Sequence, residues 1–253
     1  MPPKYALLVH QEFPAGKAAA QQKLLTGVSR DFDRLKTPNC WIAMEAWTGA
    51  PNSFFFDAFD SYEQMGRTHG FLADAYAKHP ELARGVQQIA ELMTSMKTVI
   101  AMRRDDLGYR VERIDLSKTR YVRIVIVHVR PGHEDLFTES FKTLAAAYEK
   151  IKSPNPWVVY QVDTGMERPT FLIFVPMRAL AEMDTLLANA TAVRGAEGEA
   201  GVAKIQQTAR DAYISSEVQL YVVSPAMSHV SPAFAAGDAA FWIQKPPPPA
   251  KKK

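Results

Sequence analysis

Apolar residues recur along this chain at two periods, and each pattern is written twice. Leu25, Val28, Phe32 and Leu35 stand at spacings 0, 3, 7 and 10, one face of a helix. Phe141, Leu144, Tyr148 and Ile151 repeat that face 116 residues later. Ahead of each face lies a β-rich run closed by a turn: Tyr5–Phe13 before Pro14-Ala15-Gly16, and Tyr121–Arg130 before Pro131-Gly132. Behind each lies a shared motif. Lys36-Thr37-Pro38-Asn39-Cys40-Trp41-Ile42 returns as Lys152-Ser153-Pro154-Asn155-Pro156-Trp157-Val158, and both continue to a Thr-Gly pair. The Pro-Asn pair is expected to stop each helix, because proline cannot continue the hydrogen-bond ladder. Self-similarity at a fixed offset decides the architecture before any local feature does: one supersecondary unit, present twice.

The remaining elements follow in the same order in both copies. Second strands are expected at 40–48 and 156–164, and third strands at 53–59 and 170–175, after a turn two residues longer in the second copy. Helices follow at 62–76 and 177–188. Further helical faces carry Val86, Ile89, Met93 and Met96, and Val202, Ile205, Ala209 and Ala212. Last strands come at 98–103 and 217–223, and Leu107-Gly108-Tyr109 resembles Met227-Ser228-His229. Each copy reads β-α-β-β-α-β, the ferredoxin-like split pattern. One such sheet needs a cover on its helix-free face, which two copies supply by packing sheet to sheet. The expected fold class is therefore α+β. The modules span 4–103 and 120–230, with a polar linker at 104–119 and a Pro/Lys-rich tail at 231–253. In the tail, Phe241-Trp242 either docks as a clip or stays loosely ordered, and Pro246–Lys253 is expected to be exposed and dispensable.

Strand alternation separates two faces. Cys40, Ile42, Met44 and Ala46, with Pro156, Val158, Tyr160 and Val162, form an almost wholly apolar set expected to lie under the helices, joined by Ala6, Leu8, His10, Val122, Ile124 and Ile126. The other set mixes aromatic and polar residues, as the walls of a ligand pocket do. It places Trp41, Trp157, Tyr5, Tyr121 and Gln161 around a central cavity, with Glu45 and Arg123 as the candidate catalytic pair. Between tryptophan walls Glu45 would be a raised-pKa base, and Arg123 would hold an anion or lower that pKa. The alternative is an ion pair that only closes the interface between copies, with the tryptophans as core.

Charge and composition narrow the function classes. The net charge is +3, and three of the positive charges are Lys251, Lys252 and Lys253, so a phosphate-tracking nucleic-acid surface is not expected. A single cysteine, Cys40, excludes an intramolecular disulfide and reads as a buried, inert thiol. The six histidines show no metal-ligand spacing, and no nucleophile elbow, P-loop or dinucleotide fingerprint occurs, so neither metal nor cofactor is expected. No apolar run approaches the roughly 20 residues of a bilayer span. Tyr5–Val9 is too short for a signal-peptide core, so the sequence as written reads as cytoplasmic, with export of a longer precursor left open.

The doubled β-α-β-β-α-β with tryptophan opening strand two resembles the dimeric α+β-barrel superfamily. That group includes antibiotic-biosynthesis-monooxygenase-like, NIPSNAP-like, EthD-like and chlorite-dismutase-like proteins. The turns Phe13-Pro14-Ala15-Gly16 and Arg130-Pro131-Gly132-His133-Glu134, and the run Phe174–Asp184, carry the resemblance, which covers about residues 4 to 230. It implies a single-chain barrel. It also implies a cofactor-independent monooxygenase or isomerase acting on a small apolar, aromatic or polyketide-like compound, since the superfamily's monooxygenases work inside the barrel without metal or flavin. The alternative is a non-catalytic module for assembly or passive ligand binding; a homo-oligomer stays open. The chlorite-dismutase-like branch binds haem through a second-module histidine. Here that module holds His128, His133 and His229, none of them in mid-helix on an apolar face.

Overall fold

The computed structural model describes residues 1–243. Eight strands are ordered β1(Tyr5–Glu12), β2(Trp41–Ala46), β3(Asn52–Phe59), β4(Ser95–Arg103), β5(Tyr121–Val129), β6(Val158–Thr164), β7(Thr170–Met177) and β8(Tyr213–Val223). They close an antiparallel barrel in the order β1-β3-β2-β8-β5-β7-β6-β4, with β4 returning to β1. Each copy contributes a four-stranded sheet, and the two join edge to edge at two seams. Met44, Glu45 and Ala46 pair with Val223, Val222 and Tyr221 at one; Ile100–Arg103 pairs with β6 at the other. Closure leaves no unpaired sheet edge among the described residues.

The helices sit outside. They are α1(Ala18–Leu35), α2(Tyr62–Lys78), α3(Pro80–Ala90), α4(Glu134–Lys150) and α5(Glu182–Ala212), followed by the short α6(Pro232–Ala235) and α7(Ala239–Trp242). The chain leaves α1 at Lys36 (φ 52°), two residues before Pro38, and Lys152 (φ 51°) repeats this after α4. The left-handed cap therefore ends each helix before its proline is reached. The expected helix through Met96 stops at Ala90, and Met96 lies on β4, 56% exposed. Likewise Met177 closes β7 rather than opening a helix, and Gly198 (φ 68°, ψ 175°) breaks α5 into two helical stretches. Among the described residues no helix is long and apolar enough to cross a membrane.

The two faces of the sheet are reversed from the sequence expectation. The wholly apolar set points inward: Ala6, Leu8, Met44, Val122, Ile124, Val158, Tyr160 and Val162 pack inside the barrel. Phe54, Phe56, Tyr160 and Phe174 fill its centre, with ring centroids 5.7–6.1 Å apart. The mixed set faces the helices, where Ala43 and Phe55 meet Leu25, Val28 and Phe32. The reason is size. The interior of an eight-stranded barrel is just wide enough for side chains to fill, so it is a second core and takes the purest apolar set. The helices leave part of the outer face open, where Trp47, Met102 and Val218 are exposed, and such positions tolerate polar groups.

One barrel end is plugged. The segment 104–119 crosses it in two 3₁₀ turns carrying Ile114 and Leu116, and the C-terminal helices add Phe234 and Trp242. Trp242 is buried; its indole N–H donates to the Ser117 carbonyl at 2.7 Å, and Arg120 lies 3.6 Å over the Phe241 ring and pairs with Asp238. The Phe241-Trp242 segment is thus a docked clip, while the tail at Pro246–Lys253 lies outside the described residues. Trp242→Phe keeps an aromatic ring but removes the indole N–H and strands the Ser117 carbonyl, which costs about 1–3 kcal/mol, and thermal unfolding should register a melting point lower by a few degrees.

Candidate functional site

The inward set is apolar only in the middle of the barrel. Along β1 it runs Ala6, Leu8, His10, Glu12, and along β5 it runs Val122, Ile124, Ile126, His128. On β4 Val99 gives way to Lys97, and on β8 Tyr221 gives way to Gln219 and Glu217. These four strands carry polar groups to the end opposite the plug. There they surround a cavity of about 140 Å³ floored by Leu8, Phe54, Val99 and Leu172.

Within it the histidines are half-buried and the charges stand at the rim, where Glu12, Lys97 and Glu217 are exposed. His10 pairs across the sheet with Lys97 and with Phe54, whose ring lies 5.9 Å away; its Nε2 is buried and has no hydrogen-bond partner among the described residues. His128 sits diametrically opposite in the strand order, on β5, and its Nδ1 lies 2.6 Å from the Thr170 hydroxyl. Burial pushes the Tyr221 phenol up, so it stays a donor. It donates to the Gln219 side-chain Oε1 at 2.6 Å, and the Gln219 side-chain Nε2 donates to Glu217. Glu12 accepts from Ser95 at 2.8 Å.

The β6–β7 turn closes over this end. Gly165 (φ 95°) runs so close to β4 that a Cβ there would come within 2.1 Å of the Thr98 carbonyl oxygen, and only glycine fits. That approach sets Met166 against the cavity.

The seven candidates from the sequence lie on the outer face. The Trp41 indole donates to the Met227 carbonyl at 2.8 Å and meets Phe32 edge-on at 4.9 Å. Trp157 donates to the Leu107 carbonyl at 2.9 Å and stacks on Tyr109 at 4.8 Å. Each tryptophan thus holds the segment after the last strand of the other copy, through the bridges Trp41↔His229 and Tyr109↔Trp157. Glu45 is bonded by the side chains of Gln22 (3.3 Å) and Ser224, and burial outweighs both in raising its pKa. Arg123 is half-buried beside Tyr148, its pKa lowered by burial, and no ion pair joins it to Glu45 among the described residues. Gln161 belongs to the other seam and accepts from Arg104 at 2.7 Å. Tyr5 packs on Tyr62 at 5.1 Å, and Tyr121 lies 5.6 Å from Trp47. The structure brings none of them into the interior.

The interior residues had a legible signal: an apolar alternating set that turns polar at one strand end on two strands, His10-x-Glu12 and His128. Cys40 is half-buried, and burial pushes its thiol up. No group of three His, Cys, Asp or Glu among the described residues is placed to hold a metal ion. Haem does not fit the cavity, because an engineered cavity of about 150 Å³ takes a single benzene. Of the second-copy histidines, His229 is engaged at both nitrogens by Asp33 (2.6 Å) and Thr37 (3.1 Å), and the His133 ring Nδ1 lies 3.4 Å from the Pro131 carbonyl.

No family model and no curated protein matches the sequence. Solved structures do match its fold. An anthrone oxidase-like protein gives a TM-score of 0.58 at 14% identity, covering 87% of this chain and 91% of its own. A candidate monooxygenase from Fusobacterium nucleatum gives 0.56 at 12% identity, over 88% of this chain and 94% of its own. A candidate chlorite dismutase gives 0.52 at 13% identity, over 90% and 97%. This chain folds as a dimeric α+β barrel. At such identities the likeness speaks for the fold, and the chemistry has to come from the chain's own residues.

Proposed function

We propose that the protein is a small-molecule enzyme that removes a proton from an enolisable or phenolic aromatic compound, as a cofactor-independent monooxygenase or isomerase. The observation that carries this reading is the interior cavity with two imidazoles on opposite strands, one with a buried, unpartnered nitrogen, and an ammonium group beside it. An imidazole is the usual general base near neutral pH. Lys97, next to His10 in register, supplies positive charge where an enolate oxygen would develop. The carbanion left by proton loss then has two fates. Reprotonated at another carbon, it gives an isomer. Passing electrons to dioxygen, it forms a hydroperoxide that loses water and leaves a ketone. The names of the fold's neighbours, anthrone oxidase-like and monooxygenase, support the second fate.

The test uses 2-indanone and phenylacetone as probes, each with one aromatic ring, which matches the size of the cavity. Exchange of the acidic C–H for deuterium is followed by NMR under nitrogen, and oxygen uptake is then followed in air. The protein should accelerate exchange for at least one probe, and replacing both His10 and His128 by alanine should slow it about 10²- to 10⁴-fold. Binding of either probe with neither exchange nor oxygen uptake would favour the passive-carrier reading instead.

A further inference from the structure

We propose that His128 is the general base of this cavity, acting through Nε2, and that Thr170 is the positioning residue that leaves that nitrogen unprotonated. The base role rests on the function proposed above; the protonation pattern does not. The argument follows one proton. The Thr170 hydroxyl lies 2.5 Å from the backbone carbonyl of Glu167. A carbonyl only accepts, so the single hydroxyl proton is spent there. The same oxygen lies 2.6 Å from His128 Nδ1 and can only accept from it. Nδ1 therefore carries the ring proton, and in the neutral imidazole Nε2 is the bare, basic nitrogen. Nε2 has no hydrogen-bond partner among the described residues, and the ring lines the cavity.

The neighbourhood is arranged to keep this geometry. Thr170 is fully buried and pairs with His128 across β5 and β7, so register fixes the contact. The Glu167 carbonyl belongs to the β6–β7 turn, whose close approach at Gly165 holds it against the barrel end. When Nε2 takes a proton from the substrate, the imidazolium keeps its Nδ1–H bond to Thr170 and later returns the Nε2 proton to the product carbon or oxygen. The charged groups sharing the cavity mouth are Glu12, Lys97, Glu167 and Glu217. His10 has Lys97 as its register neighbour, and its buried Nε2 has no hydrogen-bond partner among the described residues.

The test has two independent readouts. In protein carrying ¹⁵N-labelled histidine, with His128→Gln used to assign the signal, His128 at alkaline pH should show a protonated Nδ1 and a bare Nε2. Thr170→Val removes the acceptor and should move protonation toward Nε2, while Thr170→Ser should restore the original pattern. A protonated Nε2 in the unaltered protein overturns the proposal whatever the activity. In the 2-indanone exchange assay, Thr170→Val should lower the rate at saturation about 10- to 100-fold with little change in KM, and Thr170→Ser should recover it. Exchange lost in His10→Gln but retained in His128→Gln also overturns it. A bare Nε2 in a protein that exchanges neither probe leaves the tautomer standing and sinks the enzymatic reading alone.

Discussion

Raising the pH from 5 to 8 should lower the melting temperature of this protein by about 10 °C, and Asp57→Asn should abolish most of that decline. Asp57 lies on β3 between Leu7 and Trp41, facing the helices, and its Oδ1 is buried without a hydrogen-bond partner. Burial with no compensating charge raises its pKa from 3.8 to about 8. The sign follows from proton counts. Between those two values the folded chain holds a proton that the unfolded chain has released, so each rise in pH favours unfolding. Stability is fully present below the ordinary carboxylate range and is lost progressively up to about pH 8. The slope approaches about 1.4 kcal/mol per pH unit, or roughly 3–4 kcal/mol over the three units, and a chain of this size loses about 2–4 °C per kcal/mol. Glu45, also raised by burial, acts in the same sense. Asp106 and Asp115, held down by Arg104 and Ser117, titrate below this window. Asparagine keeps the shape without the proton, so calorimetry across the range should return a nearly flat profile; an unchanged slope would locate the linkage elsewhere.

Trp157→Ala should be the most damaging single substitution on the outer face, at about 3–5 kcal/mol. The ring is 4% exposed, stacked on Tyr109 and edge-on to Tyr148, and its N–H closes on the Leu107 carbonyl. Removing it opens a cavity and releases the segment from the first copy that the ring holds. Urea unfolding should show the loss as a shift in midpoint. A double-mutant cycle with Tyr109→Ala should give a coupling of about 0.5–3 kcal/mol, because the two rings share one contact. Trp41→Ala should cost less, since that ring is only half-buried.

The helices and their spacing were legible because a 3.6-residue period needs only local residues to reveal it. Leu25, Val28 and Phe32 share the outer core as expected. The glycine turns were legible for the same reason: Gly16, Gly49, Gly132 and Gly165 all take positive φ. Which face of a strand turns inward was not legible. Alternation distinguishes two faces but does not say which one the barrel closes around, and the Trp41/Glu45 set looked more like a pocket than the Ile42/Met44 set. Once the faces are exchanged, Glu45 and Arg123 move outside while His10 and His128 move in. The site depended on a global closure that no short window records. The cross-copy grip of Trp41 and Trp157 was hidden similarly, although the likeness of Leu107-Gly108-Tyr109 to Met227-Ser228-His229 marked both of its ends.

The two seams also govern the order in which the molecule can be made. β2 and β4, which bound the first sheet, find their outer partners only in β8 and β6. A ribosome that has released only the first half has therefore delivered two open strand edges and an uncovered apolar face. The last strand needed for closure is also nearly the last to emerge. During that interval the nascent half is complementary to any second half within reach, including one on a neighbouring ribosome, so exchange between chains on a polysome competes with closure within one.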